Sequence, residues 1–253
     1  MPRFFITAAQ RTGDRIRIDG ADGAHLVRTL RVRVGERIAT VDEQQLEHMV
    51  AVESVSHAGV EGRIVGTRAA QGEPRLLVHV LQAVPAHGMD ACVEALVVAG
   101  AGSVRPVLTA RGVRRPDAQR AHGRVQRWRT TAREAAQLAG RGMVPPVHEV
   151  VPLDQAVTAL PAGCPILACV LSADAAPLAS YRLDSPGPAA LVIGPEGGLD
   201  AAEMTMLRAH GAALVHLGER VAPSRLAGVL ALTLLLAASG DLDSAVVPAN
   251  GEQ

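Results

Sequence analysis

The sequence contains no lysine and very few aromatic residues. All 25 basic residues are arginine, and Phe, Tyr and Trp together make up 2% of the 253 residues. Apolar residues amount to 48%, which is ample for a core, so Ala, Val and Leu must do most of the packing. The formal net charge is zero, and this excludes a global field that attracts nucleic acid.

Cysteines and long apolar runs are also scarce. Cys92, Cys164 and Cys169 lie among apolar residues without C-x-x-C or Cys/His ligand spacing. We therefore expect no metal site and no disulfide framework, but small buried thiols in a reducing cytoplasm. The N-terminus shows no signal peptide, and the longest apolar run, 226–238, is too short to span a bilayer. This run predicts a buried helix in a cytoplasmic protein without a membrane partner.

Charge is concentrated locally. Nine arginines lie between Arg105 and Arg133 against a single acid, Asp117, and a milder stretch from Arg11 to Arg37 holds seven arginines and four acids. Such patches on a neutral protein fit binding to a polyanion over a limited footprint. A solvated helix face is the alternative.

Two regions with different periodicity divide the chain. Short alternating runs at 15–19, 37–41, 48–52 and 63–66 predict a small β-barrel domain over 1–70, with helical turns at 25–31. From 76 to 243, strands alternate with helices, which is typical of a parallel sheet covered by helices. We predict strands at 76–83, 104–108, 166–171, 189–193 and 213–217, and helices at 90–99, 118–139, 153–159, 200–209 and 224–238. Val125, Trp128, Ala132, Ala135 and Ala139 would form the buried stripe of the second helix, and 244–253 a flexible tail.

The most informative stretch is Leu191-Val192-Ile193-Gly194-Pro195-Glu196-Gly197-Gly198-Leu199-Asp200, an apolar strand that runs into a Gly/Pro turn. Asp200 is placed to cap the next helix, with Glu203 completing a capping box. Glycines let backbone groups approach a ligand closely, and α/β proteins bind nucleotide-like ligands at strand ends of this kind. An ordinary strand-to-helix turn is the alternative. A second such turn, Leu217-Gly218-Glu219-Arg220-Val221-Ala222-Pro223-Ser224, follows the next strand.

This pair of turns resembles the RsmE family of SPOUT RNA methyltransferases, whose pattern includes I-G-P-E-G-G. Further matches are Met1-Pro2-Arg3-Phe4-Phe5, His25-Leu26-Val27-Arg28-Thr29-Leu30-Arg31, and the run Glu134-Ala135-Ala136-Gln137 with Arg141 and Pro145. The resemblance implies a PUA-like barrel followed by a trefoil-knotted α/β domain that dimerises through the helix 224–238. It also implies methylation of N3 of a uridine in 16S rRNA, free or in the assembled small subunit, with S-adenosylmethionine (SAM) as cofactor.

The resemblance further implies roles for particular residues. SAM would be surrounded by Leu171, Ile193, Gly194, Pro195, Glu196, Gly197, Gly198, Leu217, Gly218, Val221, Ala222 and Ser224. RNA would be held by Arg28, Arg31, Arg120, Arg124, Arg127, Gln137 and Arg141. For catalysis we predict Arg220 or Arg141 as stabilisers of a developing anion and Glu196 as an orienting group.

Departures from the family pattern keep other functions open. Where the family has Leu-Arg-x-Glu-Thr, this chain has Ala222-Pro223-Ser224-Arg225-Leu226, and Pro85-Ala86-His87-Gly88 lacks the family's lysines. One alternative is an RNA-binding relative that has lost methyl transfer. Another is a SPOUT methyltransferase that acts on a different RNA or atom, such as a ribose 2′-oxygen. The near-fingerprint Gly100-Ala101-Gly102 precedes a predicted strand instead of a helix, which argues against NAD.

Overall fold

The computed structural model describes residues 3–112, 118–183 and 187–243, with backbone only for 118–121. The contacts among these residues form two compact units. The first comprises residues up to 73 together with 136–144, and the second comprises 74–135 and 145 onward. Residues 136–144, which include the end of a long helix, thus belong with the N-terminal strands. The predicted tail at 244–253 lies outside the described residues.

The first unit is built on a six-stranded sheet. Its strands are β1 (Arg3–Phe5), β2 (Arg11–Thr12), β3 (Arg15–Asp19), β4 (Arg37–Val41), β5 (Leu46–Ser56) and β6 (Gly59–Ala69). They pair in the order β1-β4-β5-β6-β3-β2, antiparallel except for β1 with β4. Helix α1 (Gly20–Arg28) begins earlier than the predicted turns at 25–31. The alternation in β3 buries Ile16 and Ile18 in a core shared with Phe4, Leu26, Val50 and Val60.

The second unit is a seven-stranded parallel sheet in the order β11-β13-β10-β12-β7-β8-β9. Its strands are β7 (Leu77–Ala83), β8 (Ser103–Leu108), β9 (Val151–Pro152), β10 (Ile166–Cys169), β11 (Ala176–Pro177), β12 (Pro188–Ile193) and β13 (Ala213–His216). The five strands predicted for this region are present. The two-residue strands β9 and β11 were not predicted.

Helices cover both faces of the parallel sheet. They are α2 (Met89–Val98), α3 (Ala118–Leu138), α4 (Leu153–Thr158), α5 (Ala201–Ala209) and α6 (Ser224–Ala238). One sheet face packs against α4 and α5 through Leu81, Val107, Ala190 and Val192. On the other face, α6 packs closely against β7 and α2. A Cβ built at Gly228 of α6 would lie 2.5 Å from Gln82 Oε1 of β7 and 3.4 Å from Leu96 of α2, so only glycine fits there. The α/β class with a separate antiparallel N-terminal unit is confirmed, whereas the knot and barrel closure stay predictions.

Two expectations about helix burial need correction. In α3, Val125, Trp128, Ala132 and Ala135 are buried as predicted, but Ala139 is exposed because the helix ends at Leu138. Helix α6 is not buried on all sides of the single chain. Leu226, Leu230 and Leu234 are 44%, 48% and 37% exposed, and their spacing of four residues places them on one stripe.

Candidate cofactor-binding site

Three strand ends meet at one edge of the parallel sheet. Strand β10 lies between β12 and β13, and Cys169 is level with Ile193 on one side and Val215 on the other. The backbone N–H of Val170 donates to the Val215 carbonyl at 2.8 Å, which extends this pairing past β10. The turns that follow the three strands are therefore neighbours. Leu171, Gly194 and Leu217, taken from three separate parts of the sequence, lie in these turns.

The first turn, 194–200, has the predicted geometry. Gly198 has φ +70° and its N–H donates to the Pro195 carbonyl at 2.9 Å. The Asp200 carboxylate accepts from Glu203 N–H at 2.8 Å, and the Glu203 carboxylate accepts from Asp200 N–H at 2.9 Å, which confirms the predicted capping box. The turn is thus held by the Gly198–Pro195 backbone bond and by the capping box, while Glu196, Gly197 and Gly198 remain exposed.

The second turn, 217–223, combines an open glycine with exposed apolar side chains. Gly218 has φ +96°, and a Cβ built there meets no atom within 4 Å. The Gly218 N–H donates to His216 Nδ1 at 3.0 Å. Val221 is 76% exposed and Leu171, in the turn after β10, is 65% exposed. Apolar side chains beside accessible backbone groups are what an adenine ring requires, so the donor set fits SAM.

Ser224 links the two turns, because it directly follows the second turn and its side chain bonds to Gly194 of the first. Its side chain is 3% exposed, and its Oγ donates to the Gly194 carbonyl at 2.8 Å while accepting from Gln82 Nε2 at 3.0 Å. Gln82 also donates to the Ala83 carbonyl at 3.0 Å. The single donor of the Ser224 hydroxyl is therefore used within the protein, and this geometry favours positioning of Gly194 over donation to a cofactor.

The departures at Pro223 and Arg225 have defined structural places. Pro223 is the N-cap of α6, with φ −53°, and its carbonyl accepts from Leu226 N–H at 2.8 Å and Ala227 N–H at 2.9 Å. Proline is favoured at helix starts because its φ is already near the helical value. Arg225 is exposed, and its Cδ would lie 3.6 Å from a Cβ at Gly88, in the loop before α2. Both departures thus lie at the start of α6, and Arg225 is near the other departing loop.

The charged side chains of these two turns are accessible, whereas the thiol beside them is not. Glu196 and Arg220 are exposed and make no hydrogen bond or ion pair within the described parts of the chain. Burial raises the pKa of the Cys169 thiol to about 12, so Cys169 is a neutral side chain at the end of β10. The two turns therefore offer exposed charged groups at the edge of the sheet, among them the Glu196 carboxylate and the Arg220 guanidinium.

Two residues of this region were not predicted from the sequence. Arg111, in the loop after β8, donates through Nη1 to the Gly197 carbonyl at 3.2 Å, and the neighbouring Ala110 N–H donates to Glu203 at 2.8 Å. Gln82 supports Ser224, as described above. In the sequence, Arg111 is only one member of the basic stretch 105–133. Its position beside Gly197 depends on how distant strands align in the sheet, which no local pattern of residues reveals.

The RNA-binding candidates fall into different environments. Arg28, Arg31 and Arg124 are exposed and have no ion pair or hydrogen bond among the described residues. Arg127 instead forms a bidentate pair with Asp90, at 2.7 Å and 2.6 Å. The side chain of Arg120 lies outside the described residues, as do Arg114 and Arg115.

The remaining two candidates, Gln137 and Arg141, are held inside the first unit. Gln137 Nε2 donates to Asp22 Oδ1 at 3.0 Å. Arg141 is 3% exposed and pairs with Glu73, which also accepts from the N–H groups of Gly142 and Met143 at 2.8 and 3.2 Å. This pairing favours a structural role for Arg141. Its part in catalysis or RNA binding stays a prediction.

The described part of the chain contains neither a candidate metal-ligand cluster nor a candidate membrane-spanning helix. No group of three or more His, Cys, Asp or Glu side chains there could hold a metal ion. Likewise, none of its helices is long and apolar enough to cross a membrane. The three cysteines are free thiols, with Cys92 buried and the other two partly buried.

Known proteins that resemble this chain in sequence and fold include RNA methyltransferases and methyltransferases with bound SAM. Residues 72–236 match the model of the RNA methyltransferase domain. The ribosomal RNA small subunit methyltransferase E of Mycobacterium bovis is 29% identical over 235 residues, 90% of this chain and 88% of that protein. A methyltransferase of Legionella pneumophila with bound SAM is 25% identical, with a TM-score of 0.83 over 94% of this chain and 97% of that one. The ribosomal RNA small subunit methyltransferase E of Neisseria gonorrhoeae, bound to SAM, is 26% identical, with a TM-score of 0.81 over 92% and 96%. The resemblance found in the sequence is confirmed, and the chain belongs to the RNA methyltransferase domain family.

Proposed function

We propose that this protein transfers a methyl group from SAM to N3 of a uridine in 16S rRNA. The observation that carries the proposal is the meeting of the turns after β10, β12 and β13 within an RNA methyltransferase domain. Relatives named ribosomal RNA small subunit methyltransferase E, one of them solved with SAM, support the reaction and the class of RNA. The uridine N3 position comes from the family resemblance of the sequence.

The cofactor would be held mainly by backbone atoms of the two turns. Leu171 and Val221 offer apolar contact, and Gly194, Gly218 and Leu217 offer backbone groups. The sulfonium methyl of bound SAM supplies the transferred group. The chain contributes alignment of the two reactants, which is worth up to ~7–11 kcal/mol of barrier in well-oriented reactions.

The uracil N3 proton must leave before or during transfer, and the resulting anion needs stabilisation. Arg220 is the candidate for this role because its guanidinium is exposed beside the site and unpaired in the described structure. Glu196 would orient the base by accepting a hydrogen bond. Arg111, which holds Gly197, would position the turn that carries Glu196.

RNA would contact exposed arginines through its phosphates. Arg28, Arg31 and Arg124 are suited to this because their guanidinium groups carry no internal ion pair in the described structure. Binding through such contacts weakens with salt, since each neutralised phosphate releases counterions. Arg127 contributes less, because its pair with Asp90 must be broken or shared.

A homodimer is the proposed assembly, with a second copy of this chain on the α6 stripe of Leu226, Leu230 and Leu234. Exposed leucines in one stripe are costly on a monomer surface and typical of an interface core. Leu230→Glu should yield monomers in light scattering, whereas Leu138→Glu, at a 79% exposed leucine of α3, should leave the dimer intact. A wild-type monomer at micromolar concentration would contradict this assembly.

Methyl transfer tests the proposed reaction. Labelled SAM is incubated with small ribosomal subunits, or with free 16S rRNA, from cells that lack the modification, and nucleosides are then analysed. Label in 3-methyluridine is the expected result, and the better of the two substrates identifies the natural one in the cytoplasm. Label in another nucleoside would identify a methyltransferase with a different target. No label from folded protein that binds RNA would favour the relative that has lost methyl transfer.

A further inference from the structure

A second polar cluster lies at the amino edge of the parallel sheet, away from the candidate cofactor site. His79 of β7 is level with Ser103, the first residue of β8, and Arg105 follows two residues later on the same face. Val147 bridges Val104 in parallel, so His148 points to the same face as Arg105. The side chains of His79, Arg105 and His148, from three neighbouring segments, therefore share one face of the parallel sheet.

This cluster contains buried nitrogen atoms without partners. His79 is 8% exposed, and its Nδ1 lies 2.8 Å from Ser103 Oγ. Its other ring nitrogen, Nε2, is buried and has no hydrogen-bond partner in the described structure, and the same holds for Nε of Arg105. Buried polar groups in native proteins are nearly always paired, with protein, water or a ligand. Two buried nitrogens of neighbouring side chains therefore lack a hydrogen-bond partner within the described residues.

Most of the ionisable groups around the cluster are basic. Burial lowers the pKa of His79, and Arg105 and His148 lower it further. Burial also lowers the pKa of His148, with Arg105 and Arg129 adding to the effect. Glu149, the residue after His148, is a carboxylate that pairs with Arg129 at 3.0 Å, while His122 approaches it from α3 at 4.0 Å. The thiol of Cys164 is also close to Arg105, and burial raises its pKa, so it remains neutral.

We propose that His79, Arg105 and His148 form a binding site for a phosphate group. A phosphate presents several acceptor oxygens, which suits a guanidinium fork, two imidazole N–H groups and the Ser103 hydroxyl. Its charge also offsets the repulsion among the three basic side chains. The site is distinct from the cofactor turns, because it lies where the strands begin and those turns lie where they end. The phosphate comes either from the RNA backbone or from free inorganic phosphate.

Histidine ring proton signals in NMR spectra test the site directly. The full chain is titrated with inorganic phosphate against chloride at equal ionic strength, and the signals of His79 and His148 are assigned with His79→Gln and His148→Gln. Phosphate should raise the pKa of both residues, because it stabilises their protonated forms, and leave the other seven of the nine histidines unchanged. Arg105→Gln should weaken the response about tenfold or more. The control variant is Arg208→Gln, which removes an exposed arginine of α5 that pairs with Asp174. It should not weaken the response.

A uridine oligonucleotide without terminal phosphates distinguishes the two sources. If it shifts the same two signals, the site takes backbone phosphates, and if only inorganic phosphate does, the site takes the free ion. The proposal is overturned if neither inorganic phosphate nor the oligonucleotide shifts the signals of His79 and His148 at probe concentrations well above the millimolar range. An equal shift of all histidines, or a full response in folded Arg105→Gln, would also overturn it. These outcomes do not depend on SAM or methyl transfer.

Discussion

Removal of the Ser224 hydroxyl should loosen the joint between α6 and the first turn. The hydroxyl makes a part-buried hydrogen bond to the Gly194 carbonyl at 2.8 Å and accepts a buried one from Gln82 at 3.0 Å. Each such bond is worth about 1 kcal/mol net, and the carbonyl left unpaired adds a desolvation cost. Ser224→Ala should therefore cost about 1–3 kcal/mol of unfolding free energy. For a chain of this size each kcal/mol lowers the Tm by roughly 2–4 °C.

Binding of SAM should weaken in the same variant, because Gly194 is released from its anchor. Calorimetric unfolding and SAM titration measure the two effects side by side. Thr205→Ala is the matched control, since its hydroxyl bonds the Ala201 carbonyl at 2.8 Å on exposed α5 and touches neither turn. Unchanged stability and SAM affinity in Ser224→Ala would refute the role assigned to this hydroxyl.

Three further predictions concern the first unit and RNA. Glu73→Ala should destabilise the protein by about 3–5 kcal/mol in denaturant unfolding, because Arg141 is left buried without its carboxylate; a loss close to zero would contradict this. Burial raises the pKa of Asp42, but hydrogen bonds from His48 and from backbone N–H groups outweigh it and leave that pKa below 3.8. The stabilisation from Asp42 is thus present above pH 3.8 and lost as the pH falls through the lowered value, so the advantage of wild type over Asp42→Asn should vanish in acid; a constant difference in pH-dependent unfolding would refute it. Arg124→Gln should lower the slope of RNA affinity against salt by roughly one unit in filter binding, whereas an unchanged slope would exclude a phosphate contact.

The sequence was sufficient for the framework of the second unit. The helix 224–238 and the capping box of Asp200 and Glu203 were predicted correctly, because both depend on signals within a few residues. The strand 189–193 was also found, since its apolar run is bounded by Pro and Gly. Strand ends moved by one or two residues, as at β10, which ends at Cys169 instead of Leu171.

Long-range contacts explain what the sequence did not reveal. Arg141 matched a family motif, yet its guanidinium pairs with Glu73, 68 residues away, and no local pattern encodes that contact. The tie from Gln82 to Ser224 spans 142 residues, and the contact of Arg111 with Gly197 spans 86. Sequence reasoning therefore predicted which turns form the candidate site, but not which side chains hold them in place.

The central claim is that SAM binds at the turns after β10, β12 and β13, and paired glycine variants test it most directly. Gly218 and Gly211 both have positive φ, +96° and +76°, with nothing within 4 Å of a built Cβ, but they lie at opposite ends of β13. Gly218→Leu and Gly211→Leu should therefore lose similar stability from backbone strain. In SAM titration by calorimetry, Gly211→Leu should bind as wild type does, while Gly218→Leu should lose binding. Wild-type affinity in Gly218→Leu, or no SAM binding by the wild type, would contradict the account.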